Sequence, residues 1–206
     1  MHETATRTLT VPEAIQTRRS IRAYEQKPIP REDLDEILRL TSLAPSAFNI
    51  QPWRFIVVTD PELKERVKEA AYGQRQIGSA PAVIVLYSDM EDMMEHPREV
   101  VHPGMSEQQK DAAVQTLKDS YGKLSVAERA LVGVAQANIA LGYLLVAAQG
   151  LGYATSPMLG FDRDKMREVL GLKDHVRFAS IVAIGRAAEE GFPHHRHELD
   201  RIVTYK

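Results

Sequence analysis

Arg18-Arg19-Ser20-Ile21-Arg22 places three guanidiniums and a hydroxyl within five residues. Such a cluster grips a dianionic phosphate through charge-assisted, bidentate hydrogen bonds, which scattered lysines do less well. Arginines at a helix end also complement its dipole and can stand solvated, so a plain reading remains open beside the chemical one. Ala44-Pro45-Ser46-Ala47-Phe48-Asn49-Ile50-Gln51-Pro52-Trp53 mixes amides, a hydroxyl and aromatics around prolines. A loop of that composition suits contact with a ligand, or a packed connection in which Trp53 fills the core. Gln74 sits in the polar turn Tyr72-Gly73-Gln74-Arg75-Gln76, and Pro157-Met158-Leu159-Gly160-Phe161 is a segment whose backbone is expected to face a neighbour or ligand. His194-His195-Arg196-His197 lacks the helical i, i+4 spacing and the carboxylate of a metal site, and reads as a solvated or phosphate-facing basic turn.

Helices and strands must carry these groups. Thr10-Val11-Pro12-Glu13 has the form of a capping box, which predicts a helix ending near Thr17, just before the arginines. Lys27-Pro28-Ile29-Pro30 then breaks the chain ahead of a helix over 31–43 with Leu34, Ile37, Leu38 and Thr41 on one face. A strand is expected over 54–59, a helix capped by Asp60 over 61–71, and a second strand over 82–87; strand, helix, strand in this order suggests an α/β arrangement there. Residues 88–120 hold Met90, Met93 and Met94 with no steady period and are read as a mobile, lid-type excursion, with a possible helix over 107–121. Ser125-Val126-Ala127-Glu128 forms a second capping box, opening a helix to about Gln149 that should traverse the domain, roughly 35 Å at 1.5 Å per residue. Its Gly133, Ala137, Ala140 and Ala148 invite close approach by other backbones, in the core and at a subunit interface. A short extended piece over 153–156, a helix from Asp162 to Leu170, a strand over 176–184 and an edge strand over 199–205 complete the expectation.

Composition narrows the chemistry. With 206 residues, one domain with a sizeable core is expected. The basic and acidic residues, 26 and 28, nearly cancel, so nothing draws the whole molecule to nucleic acid and any anion binding is local. There is no cysteine, which removes thiolate nucleophiles, thiol redox chemistry and iron–sulfur ligation; a redox protein of this composition needs a bound cofactor. Met1 to Thr10 has no apolar leader core, so the cytoplasm is the expected location. Residues 130–148 are uncharged for long enough to cross a bilayer, but Gln136, Asn138 and the missing basic and aromatic flanks favour a buried central helix. Gly150-Leu151-Gly152 is no dinucleotide fingerprint, because it follows a helix and Thr155 stands where the third glycine belongs.

Taken in order, Arg18 to Arg22, Ala44 to Phe55, Gln74, Gly150 to Phe161 and Arg196 resemble the nitroreductase family of FMN-dependent oxidoreductases, across about Val11 to Val203. The resemblance implies an α+β fold, a mixed but largely antiparallel sheet flanked by helices, in an intertwined homodimer around the long central helix, its tail reaching the partner. It implies FMN at the interface, with Arg18, Ser20 and Arg22 on its phosphate and Arg19 contributing mainly backbone. Pro45, Ser46 and Asn49 would come from the second subunit, Gln74 would meet the pyrimidine edge, and Pro157, Met158, Leu159 and Gly160 would line the other side. Arg196 and His194 would join the phosphate. Leu159 and His194 stand where some members carry an acidic residue and a lysine. A compact arginine site without a glycine-rich loop also suits FMN's single phosphate better than a dinucleotide.

The resulting expectation is a cytoplasmic enzyme that takes hydride from NAD(P)H onto FMN and reduces quinones or nitroaromatic compounds by a ping-pong mechanism, with no catalytic side chain named and no metal. The methionines of the excursion would shape the acceptor pocket. Alternatives are a non-catalytic flavin-binding or sensor dimer, and a dehalogenating or ring-fragmenting enzyme of the same fold.

Overall fold

The computed structural model describes residues 8–206; the first part of the stretch discussed as lacking a leader lies outside the described residues. Four strands, β1 (Trp53–Val58), β2 (Ala82–Ser88), β3 (Ala154–Met158) and β4 (Arg177–Gly185), form one sheet in the order β1-β2-β4-β3. Every neighbouring pair is antiparallel, and a single bridge between Ser20 and Thr155 supplies the parallel component. The fold is therefore α+β, and the α/β arrangement suggested by strand, helix, strand over residues 54–87 is corrected. Two helices, α3 (Pro61–Ala70) and α4 (Arg75–Ser79), separate β1 from β2 and pack on each other, so the connection doubles back before β2 starts. The polar turn expected around Gln74 holds only to that residue, the N-cap of α4.

Alternating side chains divide the sheet's two faces. Val83, Val85, Ile181 and Ala183 pack with Val67, Ala70 and Ile77 of α3 and α4, and with Met166 of α8 (Arg163–Leu170). Ile84, Val182 and Ile184 pack with Ile37 of α2 (Arg31–Ser42) and with Leu144 and Ala148 of α7 (Val126–Gly150). A bulge opposite Leu86 and Tyr87 skips Ala179, and this change of parity turns Phe178 to the α8 side, edge-on to Phe161 at 5.3 Å.

Both capping boxes form: Thr10 with Glu13 opens α1 (Val11–Thr17), and Ser125 with Glu128 opens α7. At 1.5 Å per residue the 25 residues of α7 span about 37 Å. Ala130, Gly133, Ala137, Ala140, Leu144 and Ala148 are buried along one stripe. Gly133 is required there, since a Cβ would lie 2.1 Å from Ser88 Oγ and 2.5 Å from Met90 Cγ. The opposite face is open: Leu131, Ile139 and Tyr143 are exposed, as are Val11 and Ile15 of α1 and Leu43 after α2. By length and apolarity α7 would pass for a membrane span, yet its small-residue stripe is committed to the sheet.

Two expectations need correction. The helix expected over 107–121 forms as α6 (Glu107–Tyr121), but the rest of 88–120 is not the aperiodic excursion expected, since it holds α5 (Met90–Glu95) and a 3-10 turn at Pro97–Val100. Met90 and Met93 are buried with Ile50, Leu117 and Tyr121, so they fill core rather than shape an acceptor pocket. Two ion pairs and a hydrogen bond fix α5 to the body: Arg129 binds Glu91 at 2.8 and 2.9 Å, Arg54 binds Asp92, and His175 Nε2 lies 2.9 Å from Asp89 Oδ1. The edge strand expected over 199–205 does not form in the single chain; a short helix α9 (Leu199–Ile202) lies there instead, with Leu199, Ile202 and Tyr205 exposed.

Candidate cofactor site

The arginine cluster leaves α1 at Arg18 and runs beside the edge strand β3, with Ile21 N donating to Thr155 O at 3.1 Å. The C-terminal segment leaves β4 and returns antiparallel along the same stretch: Glu25 N donates to Arg186 O and Ala188 N to Ala23 O, both at 2.9 Å. Sequence neighbours from both ends of the chain are thereby delivered to one place. Arg18, Arg19, Ser20, Arg22, Phe192, Pro193, His194 and Arg196 line a pocket of about 140 Å³.

Its electrostatics are those of a cation site short of an anion. Arg18 Nη1 is fully shielded and has no hydrogen-bond partner. Leaving such a donor unpaired costs about 1–3 kcal/mol, more for a charged group. Burial, and then the charges of Arg196 and Arg19, push the Arg18 pKa below its ordinary value. Loss of water, and then Arg19, Arg196 and Arg18, similarly lower that of His194. Arg19 is spoken for: its Nη1 donates to Gln16 O at 2.8 Å and Arg18 O at 3.0 Å, which turns its guanidinium toward main chain. Of the three tail histidines only His194 lines the pocket, and among the described residues no group of three or more metal-ligand side chains comes together.

A second cluster forms at the far end of β3. Gln74 Nε2 donates to Gly160 O at 2.7 Å, and Gln76 Nε2 holds Gln74 Oε1 at 2.9 Å and touches Met158 Sδ at 3.1 Å. Gln74 is aimed by the tight turn before it, where Tyr72 and Gly73 take φ of 56° and 71°. Met158 is buried, Leu159 is turned to solvent, and a Cβ on Gly160 would meet nothing within 4 Å. Thr155, beside the arginines, and Met158, beside Gln74, are three strand residues apart, about 10 Å.

Pro45, Ser46 and Asn49 are not brought to either cluster within one chain. They precede β1, and β1 and β3 are opposite edges of the sheet. Their loop is held in unusual backbone, with φ of 52°, 58° and 40° at Phe48, Asn49 and Gln51. Ser46 Oγ accepts from Gln51 N at 3.0 Å, and Asn49 Nδ2 donates to Val100 O at 2.9 Å. Gln76, Phe192 and Pro193 escaped sequence reading: Gln76 looked like one more polar turn residue, and the other two carry no charge to mark them.

The chain is similar to known proteins over most of its length. A family model described as the nitroreductase family matches residues 15–186. An NADH dehydrogenase of Thermus thermophilus is 43% identical over 189 residues, covering 92% of each chain. YdgI of Bacillus subtilis, provisionally named an NAD(P)H nitroreductase, is 33% identical over 94% of this chain and 96% of its own. Among solved structures, a provisionally named nitroreductase from Exiguobacterium sibiricum in complex with FMN superposes with a TM-score of 0.89 at 28% identity, covering 98% of this chain and 100% of that one. The matched span holds the whole sheet, both glutamines and the arginine cluster, and on that ground the chain belongs to the nitroreductase family.

Proposed function

We propose that the chain is one subunit of a homodimeric, FMN-dependent oxidoreductase that oxidises NAD(P)H and reduces flat acceptors, quinones or nitroaromatic compounds. The observation that carries this reading is the shielded, unpaired Arg18 Nη1 inside a pocket of converging cations, joined by β3 to a prearranged amide pair. FMN fits that set. It has one terminal phosphate for Arg18, Ser20, Arg22, His194 and Arg196, and a ring whose carbonyl and amide edges match a neutral donor such as Gln74. When held there, FMN would supply the redox chemistry that links oxidation of NAD(P)H to reduction of the acceptor.

The protein's part is binding and positioning. Arg18, already partly desolvated, loses less hydration on meeting a dianion than a free arginine does, and Arg22 and Arg196 add charge-assisted contacts. Gln76 presets the Gln74 amide, which exchanges the Gly160 carbonyl for a ring acceptor. The main chain of Pro157 to Gly160 forms a wall, Leu159 facing outward. Pro45, Ser46 and Asn49 belong to the same site only if a second subunit supplies them, which the exposed apolar strip on α1, Leu43 and α7 makes possible. That strip borders a groove of about 790 Å³ lined by Val11, Ile15, Leu43, Ile139, Tyr143 and their neighbours. No side chain is assigned a proton, which water can supply to the acceptor. The cytoplasm, where NAD(P)H is formed and used, is the fitting compartment.

Anaerobic mixing tests the reading. The flavin absorbance of the purified holoprotein is expected to bleach with NADH or NADPH and to return when a quinone is added, with quinol formed. Flavin that stays oxidised under excess reduced nicotinamide would instead identify a binding protein without turnover.

A further inference from the structure

Residues 186–196 form a strap over the arginine cluster, and its attachment is unusual. Among the described residues, main-chain bonds hold it to the body as far as Ala188, whose N–H donates to Ala23 O. At the next position the carboxylate takes over: Glu189 Oε1 accepts from Arg22 N at 2.6 Å. Two residues on, Gly191 adopts φ of 71°. A Cβ there would stand 2.9 Å from Ile21 Cδ1 and 3.0 Å from Arg19 Cβ, so the strap crosses the cluster at a point that only glycine permits. Beyond it lie Phe192, Pro193, His194 and Arg196, which complete the pocket. Arg196 donates to His195 O at 2.7 Å, a bond within the strap that does not fix it to the body.

We propose that Glu189 is a positioning residue for the phosphate end of the cofactor: its carboxylate pins the strap to the Arg22 main chain, and with the turn at Gly191 sets His194 and Arg196 over Arg18, Ser20 and Arg22. An acidic side chain beside a cation pocket opposes anion binding by its charge, so its contribution is geometric. The carboxylate substitutes for the main-chain acceptor that the strap loses on turning. Charge and geometry therefore make opposite predictions for two variants. Glu189→Gln keeps an oxygen that can accept from Arg22 N and removes the opposing charge. Glu189→Ala removes the anchor.

This inference rests on the FMN reading, and riboflavin, the same ring system without phosphate, separates the two. FMN and riboflavin dissociation constants are measured by quenching of flavin fluorescence on the full-length apoprotein, wild type and variants. Wild type is expected to favour FMN strongly. Glu189→Ala should weaken FMN about tenfold, as for loss of one charge-assisted contact, with riboflavin unchanged. Glu189→Gln should bind FMN as well as wild type or better, and Gly191→Ala should share the Ala signature. Unaltered FMN binding by Glu189→Ala, or an equal loss of riboflavin, overturns the positioning role while leaving the FMN reading standing. A wild type that does not distinguish the two flavins overturns both.

Discussion

At the scale of single residues, the arginine pocket holds a tension that sequence could not reveal. Three arginines in five residues are legible as an anion site, but that one nitrogen, Arg18 Nη1, is shielded without a partner is a property of the fold. Arg18→Met keeps the aliphatic stem and removes the crowded charge. Thermal denaturation of the apoprotein should show unchanged or raised stability, while the FMN dissociation constant rises about 10- to 100-fold, the range for a charge-assisted contact. Stability lost together with FMN would mean that Arg18 is structural. His194 adds a pH dependence whose sign follows from its surroundings. Empty, the pocket disfavours the imidazolium through desolvation and the charges of Arg19, Arg196 and Arg18. A phosphate reverses that field, so binding takes up a proton; affinity is fullest below the free-state pKa and declines as pH rises through the window up to the bound-state value. Because phosphate itself titrates near pH 6, the expected signature is the difference between wild type and His194→Gln in FMN affinity across that range. Identical profiles would remove His194 from the site. Glu189 was illegible for a simpler reason: it is one of two adjacent acids in a coil, and its partner lies 167 positions away.

Helices and strands were the most readable scale where their ends carry chemistry. Thr10 and Ser125 announced α1 and α7 through side chains that satisfy free N–H groups, and those local bonds form as expected. Residues 88–120 resisted because α5 is short and its methionines face a core assembled from Ile50, Leu117 and Tyr121, partners that periodicity cannot see. The tail misled in the opposite sense: apolar residues at its end resembled a strand, but in the single chain Leu199 to Ile202 form one helical turn. Gly133 tests how tightly α7 is seated. Gly133→Ala raises helix propensity by about 1 kcal/mol yet forces a methyl into Ser88 Oγ and Met90. Overpacking of this kind costs about 1–3 kcal/mol, so a net loss of stability is expected in a denaturant titration. A stabilised variant would show that the α7–β2 contact is looser than drawn.

For the molecule as a whole, motif order resembles an α+β family, while the antiparallel strand order β1-β2-β4-β3 is visible only in the fold. Pairing depends on where α3 and α4 turn the chain, which composition does not encode. The subunit also explains why its site residues fall into separate groups. One chain offers the cations and Gln74 near β3, and keeps Pro45, Ser46 and Asn49 at the other edge, so the proposed site is complete only where two copies meet, for which the exposed strip on α7 is the proposed surface. Ile139→Asp puts a charge into the exposed strip between α1 and α7. Sedimentation should show a monomer with weakened flavin retention; an unaltered dimer would move the interface elsewhere. Flavin kept by a clean monomer would contradict the shared site.

The central claim is that each subunit contributes one phosphate-gripping pocket for FMN. Calorimetric titration of FMN into the apoprotein tests it most directly: the account predicts one FMN per subunit, with affinity falling as salt screens the arginines. An apoprotein that takes up no FMN at saturating concentration, or binds it with no dependence on salt, would contradict it.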